Sequence, residues 1–250
     1  MHNQTSVSQR PKVSIITVVY NAKEHLEITL HSVINQAYKN IEYIIIDGRS
    51  TDGTVDLIKQ YEKNISYWVS EKDNGIYDAM NKALQVVTGD WVYFLGAGDI
   101  MLNVLDKIVP LFKGPNTVYY GDVYRTDLLK VFDGKFNLFR SSRMCICHQA
   151  IFYPAEAIKK YKFNTKYKVQ ADHNLNMEIQ GSGAWRFEYF PTIVCIYSGD
   201  GFSAVTRDVA FFKDRLGIVK KNFPYIVYLY AFWLDKLLKL IKRGEYRISK

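Results

Sequence analysis

The 250 residues carry 48% hydrophobic and 23% charged side chains, values of a chain that fills one large globular core and leaves only residues 1–11 as a polar, flexible arm. The net charge is +8, and between Lys213 and Lys250 ten Lys/Arg stand against three acids, so nearly all of the excess lies at the C-terminal end. A nucleic-acid enzyme would spread its basic surface around a groove, so this distribution argues against a nucleic-acid partner.

Lys12 to Val19 is a β-branched run that closes on Tyr20-Asn21, and the spacing of Glu24, Leu26, Ile28, Leu30, Val33 and Ile34 predicts a helix after it. Ile41 to Ile46 predicts a second buried strand ending at Asp47-Gly48, with a helix from Val55 to about Tyr61 capped by Asp52 or Ser50. Ile65 to Val69 reads as a third strand, and Asn74-Gly75 opens a helix through Ala79, Ala83 and Val87. Trp91 to Leu95 follows, bounded by Gly89 and Gly96: an uninterrupted apolar run that reads as the central strand. The alternation predicts an α/β fold with a Rossmann-like, mostly parallel central sheet flanked by helices.

Beyond Asp99 the rhythm changes. A helix over Val104 to Phe112, a strand over Thr117 to Tyr124 and a hairpin turn at Asp133-Gly134 are expected. Cys145 and Cys147 read as buried strand residues, followed by helices at Ala155 to Tyr161 and Asp172 to Gln180 and a strand at Trp185 to Ile196. This gives one catalytic domain, 12–210, with a first half at 12–103 and an α+β second half at 104–210, and a helical extension at 211–250. In the extension Ile226, Leu229, Tyr230, Trp233, Leu237, Leu240 and Ile241 share a helical face, with Lys236, Lys239, Lys242 and Arg243 mostly on the other. Such a basic amphipathic helix suits the surface of an anionic membrane; a helix packed on its own domain is the plainer alternative.

Three cysteines, Cys145, Cys147 and Cys195, build no disulfide framework and suit a reducing, cytoplasmic compartment. A zinc site from Cys145, Cys147 and His148 would need a fourth ligand and wider spacing. No apolar leader is visible at the N-terminus, and Phe223 to Leu234 is well short of the roughly 20 residues of a spanning helix. The expected place is therefore the cytoplasm, peripheral to the inner face of the cell membrane.

Asp47, Asp73 and Asp99 stand at or just after strand ends, the side of an open α/β sheet where ligands bind. One such aspartate is usually a turn former or helix cap, but three in successive loops point to a ligand. A nucleoside needs acceptors for its base and ribose, and a diphosphate needs a divalent cation with oxygen ligands, Mg²⁺ or Mn²⁺.

Val13 to Asn21, Ile44 to Thr54, Asp73 to Ala83 and Gly89 to Asp99, in that order and spacing, resemble family 2 glycosyltransferases of the GT-A fold, the type that assembles bacterial surface polysaccharides. The likeness is close over 12–103 and looser to about residue 205. It implies inverting transfer of one sugar from a nucleotide-diphosphate donor, UDP-sugar first, to a glycan or lipid-linked glycan. It also implies that Thr17, Tyr20, Asp47, Asp73, Gly75, Asn81 and Lys82 hold the nucleotide and that Asp99 holds Mn²⁺ or Mg²⁺. Ala97-Gly98-Asp99 departs from the family's D-x-D by lacking the first acid.

By the same resemblance Asp172 is the base that deprotonates the acceptor hydroxyl. His148 and Gln149 meet the acceptor or diphosphate, His173 is an additional metal ligand, and Ser203 belongs to a loop that closes over the donor. The missing acid at Ala97 leaves a second reading: a catalytically silent carbohydrate- or nucleotide-binding scaffold of the same fold.

Overall fold

The computed structural model describes residues 10–132, 134–199, 201 and 206–248. The four apolar runs of the first half are strands: β1 (Val13–Val19), β2 (Ile41–Asp47), β3 (Tyr67–Ser70) and β4 (Trp91–Phe94). They pair in parallel in the order β3-β2-β1-β4, with Ile15 opposite Tyr43 on one side and Tyr93 on the other. In β1, β2 and β4 the continuity of apolar residues follows from burial on both faces, whereas β3, at the sheet edge, has no buried residue. Ile16, Ile44, Ile46, Val92 and Phe94 pack to one side, while Ile15, Tyr43, Ile45 and Tyr93 pack to the other.

The connecting helices α1 (Lys23–Ile34), α2 (Thr54–Gln60) and α3 (Ile76–Ala83) cover these faces. Asp52 accepts the Thr54 amide at 3.0 Å and so serves the start of α2; Ser50 turns instead to Asp47. Helix α4 (Leu105–Ile108) is shorter than expected because Pro110 follows, and the chain tightens to a 3₁₀ turn over Val109–Leu111.

The sheet continues with mixed polarity. After the short β5 (Ile100–Met101) come β6 (Thr117–Arg125), β7 (Lys130–Phe132), α5 (Leu138–Ser141), β8 (Ile151–Pro154), α6 (Ala155–Tyr161), α7 (Ala171–Gly181) and β9 (Arg186–Tyr197). Strand β8 lies antiparallel between β4 and β6, while β9 runs parallel to β6. The hairpin turn falls between Arg125 and Lys130, which are paired, not at Asp133-Gly134; Asp133 lies outside the described residues. Cys145 and Cys147 are half-buried in the loop ahead of β8 instead of in a strand.

Helices α8 (Val209–Asn222) and α9 (Tyr225–Ile248) complete the chain. Phe211, Val219, Phe223, Val227 and Ala231 join the same core as α7, so the extension shares the interior of the main body. Further along α9, Ile226, Tyr230, Trp233, Leu237, Leu240 and Ile241 are exposed, Trp233 by 61%. No helix among the described residues is long and apolar enough to cross a membrane.

Candidate active site

A cavity of about 890 Å³ opens at the C-terminal ends of β1 and β4, between the first turns of α3 and α7. That is a size suited to a small-molecule ligand. Its floor on the first-half side is made by Val18, Tyr20 and the segment Asp73–Met80. Gly48 ends β2 beside it: a Cβ there would meet an Asp73 carboxylate oxygen at 2.5 Å and the Tyr20 ring at 3.3 Å. Only glycine lets the Asp73 side chain lie across the strand end, where it also accepts the Gly75 amide at 2.8 Å.

Asp99 sits past β4 and is only 3% exposed. Its oxygens accept from Gln149 Nε2 at 2.9 Å and from the Ser198 amide at 3.2 Å. Burial dominates these bonds and raises its pKa to about 6. Gly96 admits the carboxylate, since a Cβ at that position would stand 2.7 Å from Asp99 Oδ2. The loop is fixed from behind by Thr29 of α1, whose hydroxyl donates to the Asp99 carbonyl at 2.8 Å and accepts the Gly98 amide at 2.9 Å.

Asp172 lies in the first turn of α7, buried, with its carboxylate accepting its neighbour His173 amide at 2.7 Å. The other oxygen is 3.2 Å from His148 Nδ1, which donates because a carboxylate only accepts. Adjacent side chains thus serve the two acids: His148 reaches Asp172 and Gln149 reaches Asp99. Gln149 is held in turn by the Cys147 thiol, which donates to Oε1 at 2.9 Å, and by Tyr93, whose hydroxyl bonds the Gln149 carbonyl at 2.6 Å. The approach to α7 is set by Asp208, which accepts the amides of Val169, Gln170 and Phe211. Burial works against that carboxylate, yet these amides hold its pKa below the ordinary value.

Of the other expected residues, Gly75 and His173 also line the cavity, and Thr17, Asp47, Asn81 and Lys82 do not. Thr17 is wholly buried, bonds Tyr43 and does not line the cavity, which begins further along β1 at Val18 and Val19. Asp47 faces inward, its carboxylate taken up by the hydroxyls of Ser50 and Ser70 and the Ser50 amide, and braces the strand ends without lining the cavity. Asn81 spans both backbone groups of Phe163 at 2.8 and 2.9 Å, and Lys82 pairs with Glu71 at 2.8 Å. Both lie beyond the first turn of α3, past the part that reaches the cavity. His173 donates from Nε2 to the Ser141 carbonyl at 2.7 Å and packs on Phe211, so that nitrogen carries a proton and no metal. Ser203 lies outside the described residues. Thr29, Asp208 and Arg143, which also lines the cavity, escape the sequence reading; only Asp208, an N-cap residue before an apolar run, carries a local signal.

Among the described residues no three His, Cys, Asp or Glu side chains converge to hold a metal by themselves. Asp99 nevertheless fits a divalent cation. It is a desolvated carboxylate whose hydrogen-bond partners, Gln149 and the Ser198 amide, bring no full charge, and a diphosphate would complete the oxygen ligands.

The sheet and its flanking helices form a GT-A fold. Mannosyltransferase PcManGT from Pyrobaculum calidifontis, in complex with GDP-Man and Mn²⁺, superposes with a TM-score of 0.65 at 18% identity, over 97% of this chain and 82% of that one. TarS of S. aureus, in complex with UDP-GlcNAc, gives 0.68 at 16% identity, over 83% of this chain and 65% of that one. A PGL/p-HBAD biosynthesis glycosyltransferase of Mycobacterium bovis is 33% identical over 224 residues, 83% of this chain and 87% of its own. Residues 14–193 match the family described as Glycosyl transferase family 2, and the chain belongs to that family. It is an enzyme, and the silent-scaffold reading gives way.

Proposed function

We propose that the protein transfers one sugar, with inversion, from a nucleoside-diphosphate donor, a UDP-sugar first, to a hydroxyl of a glycan or lipid-linked glycan. The observation that carries this reading is the pair of acids, Asp99 and Asp172, tied to the adjacent residues Gln149 and His148 on one cavity wall. Tyr20, Gly48 and Asp73 form a slot for the base and ribose. Asp99 would hold Mn²⁺ or Mg²⁺, whose charge would offset the charge that develops on the departing diphosphate. That a fold neighbour was solved with GDP-Man and Mn²⁺ and another with UDP-GlcNAc supports such a donor and leaves the base open.

On the acceptor side, Asp172 takes the hydroxyl proton as the acceptor oxygen attacks the anomeric carbon and the carbon–oxygen bond to the diphosphate breaks. His148 and the His173 amide fix the carboxylate, so no reorientation is needed during transfer.

The enzyme works on the cytoplasmic face of the membrane through α9. Its apolar residues Ile226, Tyr230, Trp233 and Leu237 are exposed about a third of a turn from the buried Val227 and Ala231. Lys236 stands over the Phe232 and Trp233 rings, a cation beside an aromatic edge, and Lys239 is exposed as well. An anionic bilayer complements both features.

The test of the donor site is thermal stabilisation by UDP, GDP, CDP and dTDP, each with Mn²⁺ or with EDTA, for the wild type and Asp99→Ala. Stabilisation by one diphosphate that requires both Mn²⁺ and Asp99 is expected, since a ligand of the native state raises its stability by mass action. No response to any nucleotide would overturn the reading.

A further inference from the structure

We propose that Thr126, in the turn between β6 and β7, is a positioning residue for the cation on Asp99. It clamps the peptide that joins Tyr197 to Ser198, and that peptide aims its N–H at the Asp99 carboxylate. This rests on the reading of Asp99 as the cation ligand.

Asp99 and Ser198 meet because β5 and β9 run antiparallel, Ile100 opposite Ile196, so the residues just outside that ladder come side by side. The peptide between Tyr197 and Ser198 is planar and trans, and its C=O and N–H point in opposite directions. The N–H donates to Asp99 Oδ1 at 3.2 Å, and the C=O accepts the Thr126 amide at 3.0 Å. Fixing one end of this rigid unit fixes the direction of the other. Thr126 takes the next carbonyl as well, its hydroxyl donating to Ser198 O at 2.8 Å, so one residue holds two successive peptides.

The turn is itself braced. Arg125 donates to Asp127 from Nε at 3.0 Å and from Nη2 at 2.6 Å, and its guanidinium stands 5.4 Å from the Tyr197 ring centre and 5.5 Å from that of Phe132. Gly199 rests directly on the Asp127 carboxylate: a Cβ there would stand 2.2 Å from Oδ1, and the φ of +77° lies in the left-handed region that favours glycine. Asp99, Ser198 and Gly199 line the cavity, whereas Thr126 and Asp127 do not, so the turn acts on the cation site from behind. Gln149 Nε2 holds the other Asp99 oxygen at 2.9 Å. With one donor on each oxygen the carboxylate is oriented before a cation arrives and keeps lone pairs for it. Loosening the clamp leaves the cation to order the carboxylate, and binding weakens.

The test measures UDP affinity by titration calorimetry in EDTA and at a series of Mn²⁺ concentrations, which separates the Mn²⁺ requirement from nucleotide binding. Wild type is compared with Thr126→Val, Thr126→Ser, Gly199→Ala and Asp99→Ala. Amide hydrogen exchange at Ser198 is followed by mass spectrometry on the metal-free proteins. Thr126→Val and Gly199→Ala should raise the Mn²⁺ needed for half the full gain in UDP affinity about tenfold, with affinity in EDTA unchanged. Thr126→Ser, which keeps the hydroxyl, should stay within about twofold of wild type. The Ser198 amide should exchange faster in Thr126→Val than in wild type or Thr126→Ser.

A Thr126→Val variant with the wild-type Mn²⁺ requirement would overturn the proposal, whatever its exchange rate at Ser198. Equal losses of UDP affinity with Mn²⁺ and in EDTA would also overturn it and place the turn on the nucleotide. So would a Thr126→Ser variant as impaired as Thr126→Val, since the hydroxyl would then do nothing for the cation. Should Gly199→Ala fail to fold, the two Thr126 variants decide alone. A wild type that needs Mn²⁺ and Asp99, beside unaffected Thr126 variants, sinks this inference alone. A wild type whose UDP affinity changes with neither Mn²⁺ nor Asp99→Ala sinks the reading of Asp99, and this inference with it.

Discussion

Replacing Asp99 by Asn isolates the consequence of burying a carboxylate whose hydrogen-bond partners bring no full charge. With the pKa at about 6 against an ordinary value near 4, ionising Asp99 in the folded chain costs about 3 kcal/mol, at about 1.4 kcal/mol per pKa unit. The sign follows from linkage: below about pH 4 the carboxyl is neutral in both folded and unfolded chains, and the penalty is absent. As pH rises the unfolded chain ionises first, and the stability is lost by the time pH has passed about 6. Asparagine removes the penalty but keeps one acceptor oxygen for two donors, Gln149 Nε2 and the Ser198 amide, which costs about 1 kcal/mol. The net expectation in EDTA at pH 8 is a gain of about 2 kcal/mol, or a Tm roughly 4–8 °C higher, reversing to a slight loss near pH 4.5. Thermal unfolding by circular dichroism across this pH range reads both. An Asn variant that is no more stable than wild type at pH 8 would mean that a counter-charge already neutralises Asp99, and the case for a cation there would fail.

Asp172→Asn should lower transfer by about 10²–10⁴-fold with nucleotide affinity unchanged, as steady-state rates and UDP titration would show; a change under tenfold would move the base elsewhere. Asn81→Ala should destabilise the protein by about 1–3 kcal/mol in urea while donor affinity stays level, because its two bonds go to the Phe163 backbone. The double variant Trp233→Ser, Leu237→Ser should no longer float with phosphatidylglycerol vesicles yet keep the wild-type Tm, as both side chains are exposed; retained flotation would remove α9 from the membrane.

The first half was legible because each strand is a continuous apolar run punctuated by Gly or Asp, as at Ile46-Asp47-Gly48 and Leu95-Gly96, and local chemistry alone decides such boundaries. Pairing in the second half was not. The parallel match of β6 with β9 joins Thr117 to Arg186, and β8 enters between β4 and β6, contacts made by tertiary packing with no trace in spacing. Among the expected site residues, Asp73, Asp99 and Asp172 do line one cavity, and their places at strand ends and a helix start are visible in the order of the chain. Thr17 lies short of the cavity, whose lining on β1 begins at Val18 and Val19, a distance along the strand that no residue type marks. Asn81 and Lys82 sit in a motif whose first turn meets the cavity and whose second meets Phe163 and Glu71.

Asp208 ties two distant stretches to one carboxylate, the entry into α7 at Val169 and Gln170 and the start of α8 at Phe211. The helices that follow residue 208 and the helix that carries Asp172 are thereby a single mechanical unit. Exchange of C-terminal segments between relatives would not transplant a neutral anchor. It would shift the first turn of α7 along with it, and with that turn the Asp172 carboxylate in the cavity wall.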